Sequence, residues 1–261
     1  MAKTCAYCRS SGPFTADHVW PRCFLERYGR HAAHFSVRSR QVHGADYVVK
    51  DVCAICNAER LSPLDSYFCR LYDEYFVHLH DFNSTAILHY DFDLLARSLL
   101  KISYNTARQG ISDPRPLAAL REFIIGRDSR PMQLAIFAEI VSPTMVPQPD
   151  GSMLKVMPQM YRSALGGFLT PGFERILLRI VAVNSYYFHV MVPLEGLIQA
   201  EFEAVADQFC KNVKGAVRLP HSLKEMTIHT SPQDGIRSIV PQLSAYHDQY
   251  RNFFAKKRPS Q

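Results

Sequence analysis

The chain has 261 residues, 47% hydrophobic and 21% charged, which is enough apolar material for a core and too little charge bias for a disordered polymer. That length fits one compact domain with a small appendage, or two small domains. Lysine and arginine number 30 against 24 acidic residues, a formal charge of +6 that suits a polyanionic partner and equally suits an ordinary solvated surface. No apolar run is long enough to span a bilayer, and no secretory hydrophobic segment follows Met1. Of the 7 cysteines, four fall in Cys-x-x-Cys pairs. Cys23, Cys69 and Cys210 are unpaired by spacing, a usage that fits a reducing compartment and a cytoplasmic location.

In chain order, Cys5-Ala6-Tyr7-Cys8 comes first and Cys53-Ala54-Ile55-Cys56 closes the opening segment. Two such knuckles supply four thiolates to one tetrahedral structural zinc. The loop between them is longer than in a compact zinc ribbon and carries Ala16-Asp17-His18-Val19-Trp20-Pro21. Asp17 reads as a metal ligand and His18 as a general base, a role to which the imidazole side chain is suited in general. Taken alone, the same two side chains would read as a turn residue and a surface histidine. Trp20 is expected to pack and Pro21 to end a strand. From Arg22 to Lys50 the basic residues Arg22, Arg27, Arg30, Arg38, Arg40 and Lys50 are interleaved with aromatics and histidines. A phosphate backbone would lie most naturally there, and a solvated loop is the plainer alternative. His31, His34 and His43 have no evident partner. Asp46 to Val52 alternates and is expected to be the strand leading into the second knuckle. Asn57 directly follows the last cysteine, at the expected start of a helix.

Cys-x-x-Cys, Asp-His-x-x-Pro and Cys-x-x-Cys-Asn in that order resemble the HNH, or ββα-metal, endonuclease family over roughly the first quarter of the chain. The resemblance implies a hairpin and a helix around one catalytic divalent ion, Mg²⁺ or Mn²⁺. Asp17 would bind that ion, and His18 would deprotonate the attacking water. Asn57 would either fix the loop that carries His18 or ligate the ion. The family usually has a third His or Asn on the helix, where this chain has Asp65 and Ser66. Asp65 is a hard oxygen donor of the right kind. Yet Ser62-Pro63-Leu64-Asp65 also reads as a helix start, with Ser62 as N-cap and Asp65 closing a capping box.

Beyond this segment, Leu64, Tyr67, Phe68, Leu71, Tyr75 and Val77 give an amphipathic helix over Ser62 to about His80. A second helix spans about Phe92 to Gln109 and stops at Gly110, with Lys101 and Asn105 on one side, read as a solvent-facing pair with a phosphate-directed pair as the alternative. Pro114 and Pro116 open a short helix ending at Gly126. Gln133 to Val141, Met153 to Tyr161, Glu174 to Val183 and Tyr186 to Val192 read as strands, the last two joined by a hairpin turn at Asn184-Ser185. They suggest an antiparallel meander with one face on helices. Helices over Leu194 to Lys211 and Ile236 to Phe254 follow, then a basic tail.

The expected fold is α+β: a zinc-stabilised ββα-metal module over residues 1–80, then helices, an antiparallel meander and C-terminal helices over residues 81–261. The expected activity is metal-dependent hydrolysis of phosphodiester bonds in DNA. RNA remains an alternative, because a basic loop does not by itself distinguish the sugars. A homodimer or larger complex is compatible with the second part. The alternative function is a zinc-dependent nucleic-acid-binding protein or complex subunit that does not cut.

Overall fold

The computed structural model describes residues 3–28, 33–36, 41–44, 47–109, 112–147, 150–158, 161–166, 172–194 and 196–231. Strand β1 (Phe14–His18) is followed by helix α1 (Arg22–Tyr28), a hairpin of β2 (Ala33–Ser36) and β3 (Gln41–Gly44), and strand β4 (Val48–Cys53). Among the described residues, the segment from Arg22 to Lys50 thus carries regular elements, where a solvated loop was the plainer alternative. β4 returns antiparallel to β1, with Asp17 opposite Val49 and His18 opposite Val48. Between Thr15 and Asp17 the register shifts, and such an irregularity leaves backbone groups outside the ladder.

From Cys56 the chain is helical without a break to Phe76. A π-helical turn (Cys56–Leu61) leads into α2 (Ser62–Leu71), and a second π-helical turn (Tyr72–Phe76) ends it. Ser62 has helical φ and ψ of −56° and −39°, and no side-chain cap forms at the start of α2. The capping role considered for Ser62 and Asp65 is thus corrected: the helix already extends upstream, so no free N-terminus exists there to cap. It also ends short of His80.

The remainder comprises β5 (Thr85–His89), α3 (Phe92–Gln109), α4 (Arg115–Ala118), α5 (Arg121–Ile124), β6 (Ala135–Val141), β7 (Thr144–Pro147), β8 (Met153–Val156) and β9 (Tyr161–Leu165). Then come a 3₁₀ turn (Phe173–Arg175), β10 (Ile176–Val183), β11 (Tyr186–Pro193), α6 (Gln199–Asn212), β12 (Val217–Arg218) and β13 (Glu225–Ser231). Among the described residues the main sheet has 7 strands in the order β5-β13-β6-β11-β10-β9, with β12 also on β6. The β10-β11 hairpin turns at Asn184-Ser185 as expected, and Asn184 takes the φ of 50° that such turns favour in Asn or Gly. The run β9-β10-β11-β6 is antiparallel, but β13 lies parallel to β6, so the sheet is mixed. Met153 to Tyr161, expected as one strand, divides into β8, paired with β7 in a separate ribbon, and β9.

Both faces of the sheet are covered, where one was expected. On β6, Ile136, Ala138 and Ile140 join the core that includes α3, whereas Ala135 and Phe137 pack with Phe202, Ala206 and Phe209 of α6. Period-two alternation in a strand delivers both sets. α6 begins later than Leu194, at a point where Glu201 accepts a hydrogen bond from the Ile198 backbone N–H. The expected helix Ile236 to Phe254 and the basic tail lie outside the described residues. Among the described residues, no helix is long and apolar enough to cross a membrane.

One buried cluster joins both parts of the chain, with Trp20, Val52 and Phe68 in contact with the same core as Leu99, Ile136 and Phe188. Trp20 stacks on Phe24 with ring centroids 5.3 Å apart and meets Phe68 and Tyr161 edge-on, so it packs, as expected. Beside it, Cys23 of α1 and Cys69 of α2 form a disulfide across 46 residues of sequence. This corrects their assignment as unpaired thiols and removes the argument for a reducing compartment, since spacing carries no information about pairs made by tertiary packing. A loop of that size makes a cross-link worth about 2–4 kcal/mol. Reduction, or Cys69→Ser, should lower the urea-unfolding free energy by that amount. An unchanged midpoint would mean that α1 and α2 hold each other without the bond.

Candidate functional site

The four cysteines of the two knuckles meet as expected. The Sγ atoms of Cys5, Cys8, Cys53 and Cys56 lie within 4.8 Å of one another, and a tetrahedral Zn²⁺ with Zn–S bonds of about 2.3 Å needs sulfurs about 3.8 Å apart. The donor set therefore fits a structural metal such as zinc. Backbone N–H groups of Cys53 and Cys56 point at the sulfurs of Cys5 and Cys53, at 3.3 Å and 3.4 Å, and Ser10 Oγ lies 2.9 Å from Cys8 Sγ. Burial raises the thiols of Cys5 and Cys56. It also acts on Cys8, where hydrogen bonding with Ser10, Cys56 and Cys53 overcomes it and brings the thiol down to about 6.

Asn57, one residue beyond the cluster, reaches across to β1. Its Nδ2 donates to Thr15 Oγ1 at 2.9 Å and to the Ala16 carbonyl at 3.1 Å, at the point where the β1-β4 register shifts. Of the two roles open to Asn57, this contact supports the one that fixes the strand carrying His18. Its loss in Asn57→Ala should cost about 1 kcal/mol, for one part-buried and one exposed hydrogen bond. Thermal unfolding of the zinc-loaded variant measures this, and no shift would mean that the strand is held without Asn57.

Asp17 and His18 part company at the end of β1. His18 stays half-exposed, whereas Asp17 is 2% exposed and faces α3. Asn105 Nδ2 donates to Asp17 Oδ2 at 2.6 Å, and Lys101 Nζ lies 3.2 Å from Asp17 Oδ1 and 2.6 Å from Asp65 Oδ1. Asn105 Oδ1 in turn accepts from Tyr7 Oη at 2.8 Å and from Arg108 Nη1 at 2.9 Å, and Arg108 also pairs with Asp51. Burial, followed by the Asp17 charge, lifts the Tyr7 phenol well above its usual range, so it remains a donor. Burial works against the Lys101 ammonium, but the carboxylates of Asp65 and Asp17 outweigh it and hold Lys101 above the usual lysine value. Burial raises the Asp65 carboxyl, against the pull of Lys101 and a smaller one from His18.

No family model, curated protein or solved structure matches this chain. What the site does must follow from its own residues.

The solvent-facing placement expected for Lys101 and Asn105 is corrected, because they are 1% and 0% exposed. A signal for this lies in the sequence. Lys101, Tyr104, Asn105, Arg108 and Gln109 form one polar stripe at helical spacing, on a helix whose other positions are mostly apolar. All five make hydrogen bonds or ion pairs with residues of the first 65, including Tyr104 Oη to the Ala6 carbonyl at 3.3 Å and Gln109 Nε2 to the Val48 carbonyl at 3.1 Å.

A divalent ion at Asp17, Asn57 and Asp65, where Asp65 would stand in for the family's third His or Asn, does not fit this arrangement. Hard cations need open carboxylate oxygens at about 2.0–2.6 Å, and here Lys101 stands between the two carboxylates while Asn105 takes the other oxygen of Asp17. Among the described residues, the four cysteines are the one group of three or more His, Cys, Asp or Glu side chains with ligand atoms close enough to share an ion. Of the six basic residues expected to meet phosphate, Arg22 pairs with Glu26 and Arg27 with Asp73, and Lys50 is exposed on β4. Arg30, Arg38 and Arg40 lie outside the described residues.

Proposed function

We propose that the chain acts on the phosphodiester backbone of nucleic acid, as a DNA endonuclease in which His18 is the general base and Asn57 the positioning residue. The observation that carries this reading is the Asn57 bridge. A side chain next to the cysteine cluster holds the backbone of the strand ending in His18, so cluster, helix and imidazole are tied together. A half-exposed imidazole at a strand end can take a proton from water beside a bound phosphate, a role worth about 100-fold or more in rate. No step is derived through a divalent ion, since Asp17 and Asp65 are engaged by Lys101.

That engagement favours a second reading, a zinc-held module that binds nucleic acid without cutting it. Nicking of supercoiled plasmid by zinc-loaded protein separates the two. His18→Ala should lose nicking by at least about 100-fold while keeping its DNA affinity. Equal nicking by folded His18→Ala would remove His18 as the base. DNA binding with no nicking by the wild-type chain would select the second reading.

A further inference from the structure

The Asp17-Asp65 centre has an unusual composition for a structural ion pair. Its carboxylates come from β1 and α2, and its single cation comes from α3, nearly 40 residues further on in the chain. Lys101 is as buried as Asp17, whereas Asp65 keeps 23% of its side-chain surface. Two carboxylates against one ammonium leave the centre with a formal charge of −1, and Asp65 gives it a side open to solvent. These are the attributes of a hard-cation site with the cation already supplied by the chain.

We propose that the Lys101 ammonium occupies the cation position of the Asp17-Asp65 centre, so that the centre takes up Mg²⁺ or Mn²⁺ only when Lys101 is removed. An ammonium and a divalent ion seek the same carboxylate oxygens, and neither tolerates the other a few ångströms away in a protein interior. Asn105 and Tyr7 support the arrangement from behind, fixing Asp17 so that Oδ1 faces Lys101. The inference does not require that the chain cut DNA, and its test reads ion binding alone.

The test is Mn²⁺ binding to full-length, zinc-loaded protein, followed by the loss of the free-ion electron paramagnetic resonance signal. The filled cysteine cluster then offers no competing ligands. Wild type should show no Mn²⁺ site that depends on Asp17. Lys101→Ala should gain one, at least about 100-fold tighter than any residual Mn²⁺ binding by wild type, a factor within the reach of one unit charge removed from beside the ion. Adding Asp17→Asn to Lys101→Ala should abolish the gain, and Lys101→Arg, which keeps the charge, should not show it. If Lys101→Ala unfolds because its carboxylates repel, millimolar Mn²⁺ should restore its circular dichroism. A wild-type Mn²⁺ site lost in Asp17→Asn would overturn the proposal. So would a Lys101→Ala chain that neither binds the ion when folded nor recovers its fold with it. A chain inactive on DNA that still gains the site leaves the inference standing and removes only the nuclease reading.

Discussion

Protein stripped of metal by a strong chelator is expected to lose the structure of its N-terminal segment, and Cys53→Ser to do the same without chelator. β1 and β4 form a two-stranded ribbon, which is marginal in water by itself. The two knuckles it connects are separated by more than 40 residues, whose closure costs chain entropy. Zinc bound by four thiolates contributes an apparent 10–16 kcal/mol at neutral pH, on the order of the whole stability of a domain. The expected result is one zinc released per chain, with loss of the cooperative unfolding transition or a large fall in its midpoint. Zinc affinity should also fall as pH falls, because the metal must displace protons from thiols that burial holds protonated, Cys56 above all. A transition unmoved by complete zinc removal would show that the cysteines cluster for another reason.

Asp17→Ala should be the most damaging single change among the polar residues. It leaves Lys101 buried with one carboxylate where it had two and deprives Asn105 of its acceptor, and breaking a buried ion pair from one side costs about 3–5 kcal/mol. Asp17→Asn keeps the shape and part of the hydrogen bonding, so it should cost less. Joining Lys101→Met to Asp17→Asn should recover part of that loss, and urea unfolding of the four chains gives the coupling directly. The pH dependence has a defined sign. The folded Lys101 value is raised above 10.5, so its contribution is complete below about pH 10 and disappears as pH rises through the folded value. Additivity of the two substitutions would mean that Asp17 and Lys101 do not depend on each other.

The parts of this structure that could be read in the sequence are the local ones. The cysteine pairs, α3 and the Asn184-Ser185 hairpin each announce themselves within a few residues. The order of Asp17, His18 and Asn57 along the chain is a pattern in itself, but it did not show that Asn57 would bond Thr15 and Ala16 while Asp17 turns to α3. What stayed hidden depends on depth and long-range pairing. Lys101 and Asn105 look like surface residues until α3 is seen to be enclosed at these positions, where both side chains are buried. The Cys23–Cys69 bond is a consequence of how α1 meets α2. Asp65 looked like a cap because Ser62-Pro63 resembles a fresh helix start, although the helix expected at Asn57 runs on through it without a break. The β5-β13 edge was missed as well, since its short alternating segments, such as Thr85–His89, carry little apolar signal, and the parallel partner of β13 lies far back in the sequence.

The polar stripe of α3 also bears on where this chain can be cut. A fragment ending near residue 80 would retain the cysteines, His18 and Asn57, everything that the sequence pattern singles out. It would leave behind Lys101, Tyr104, Asn105, Arg108 and Gln109, and with them the counter-charges of Asp17, Asp65 and Asp51. The segment that carries the cysteine cluster is thus not portable. Transplanted alone into another protein it would arrive with bared carboxylates at its centre, and the shortest graft that carries its own neutralising partners must run through Gln109.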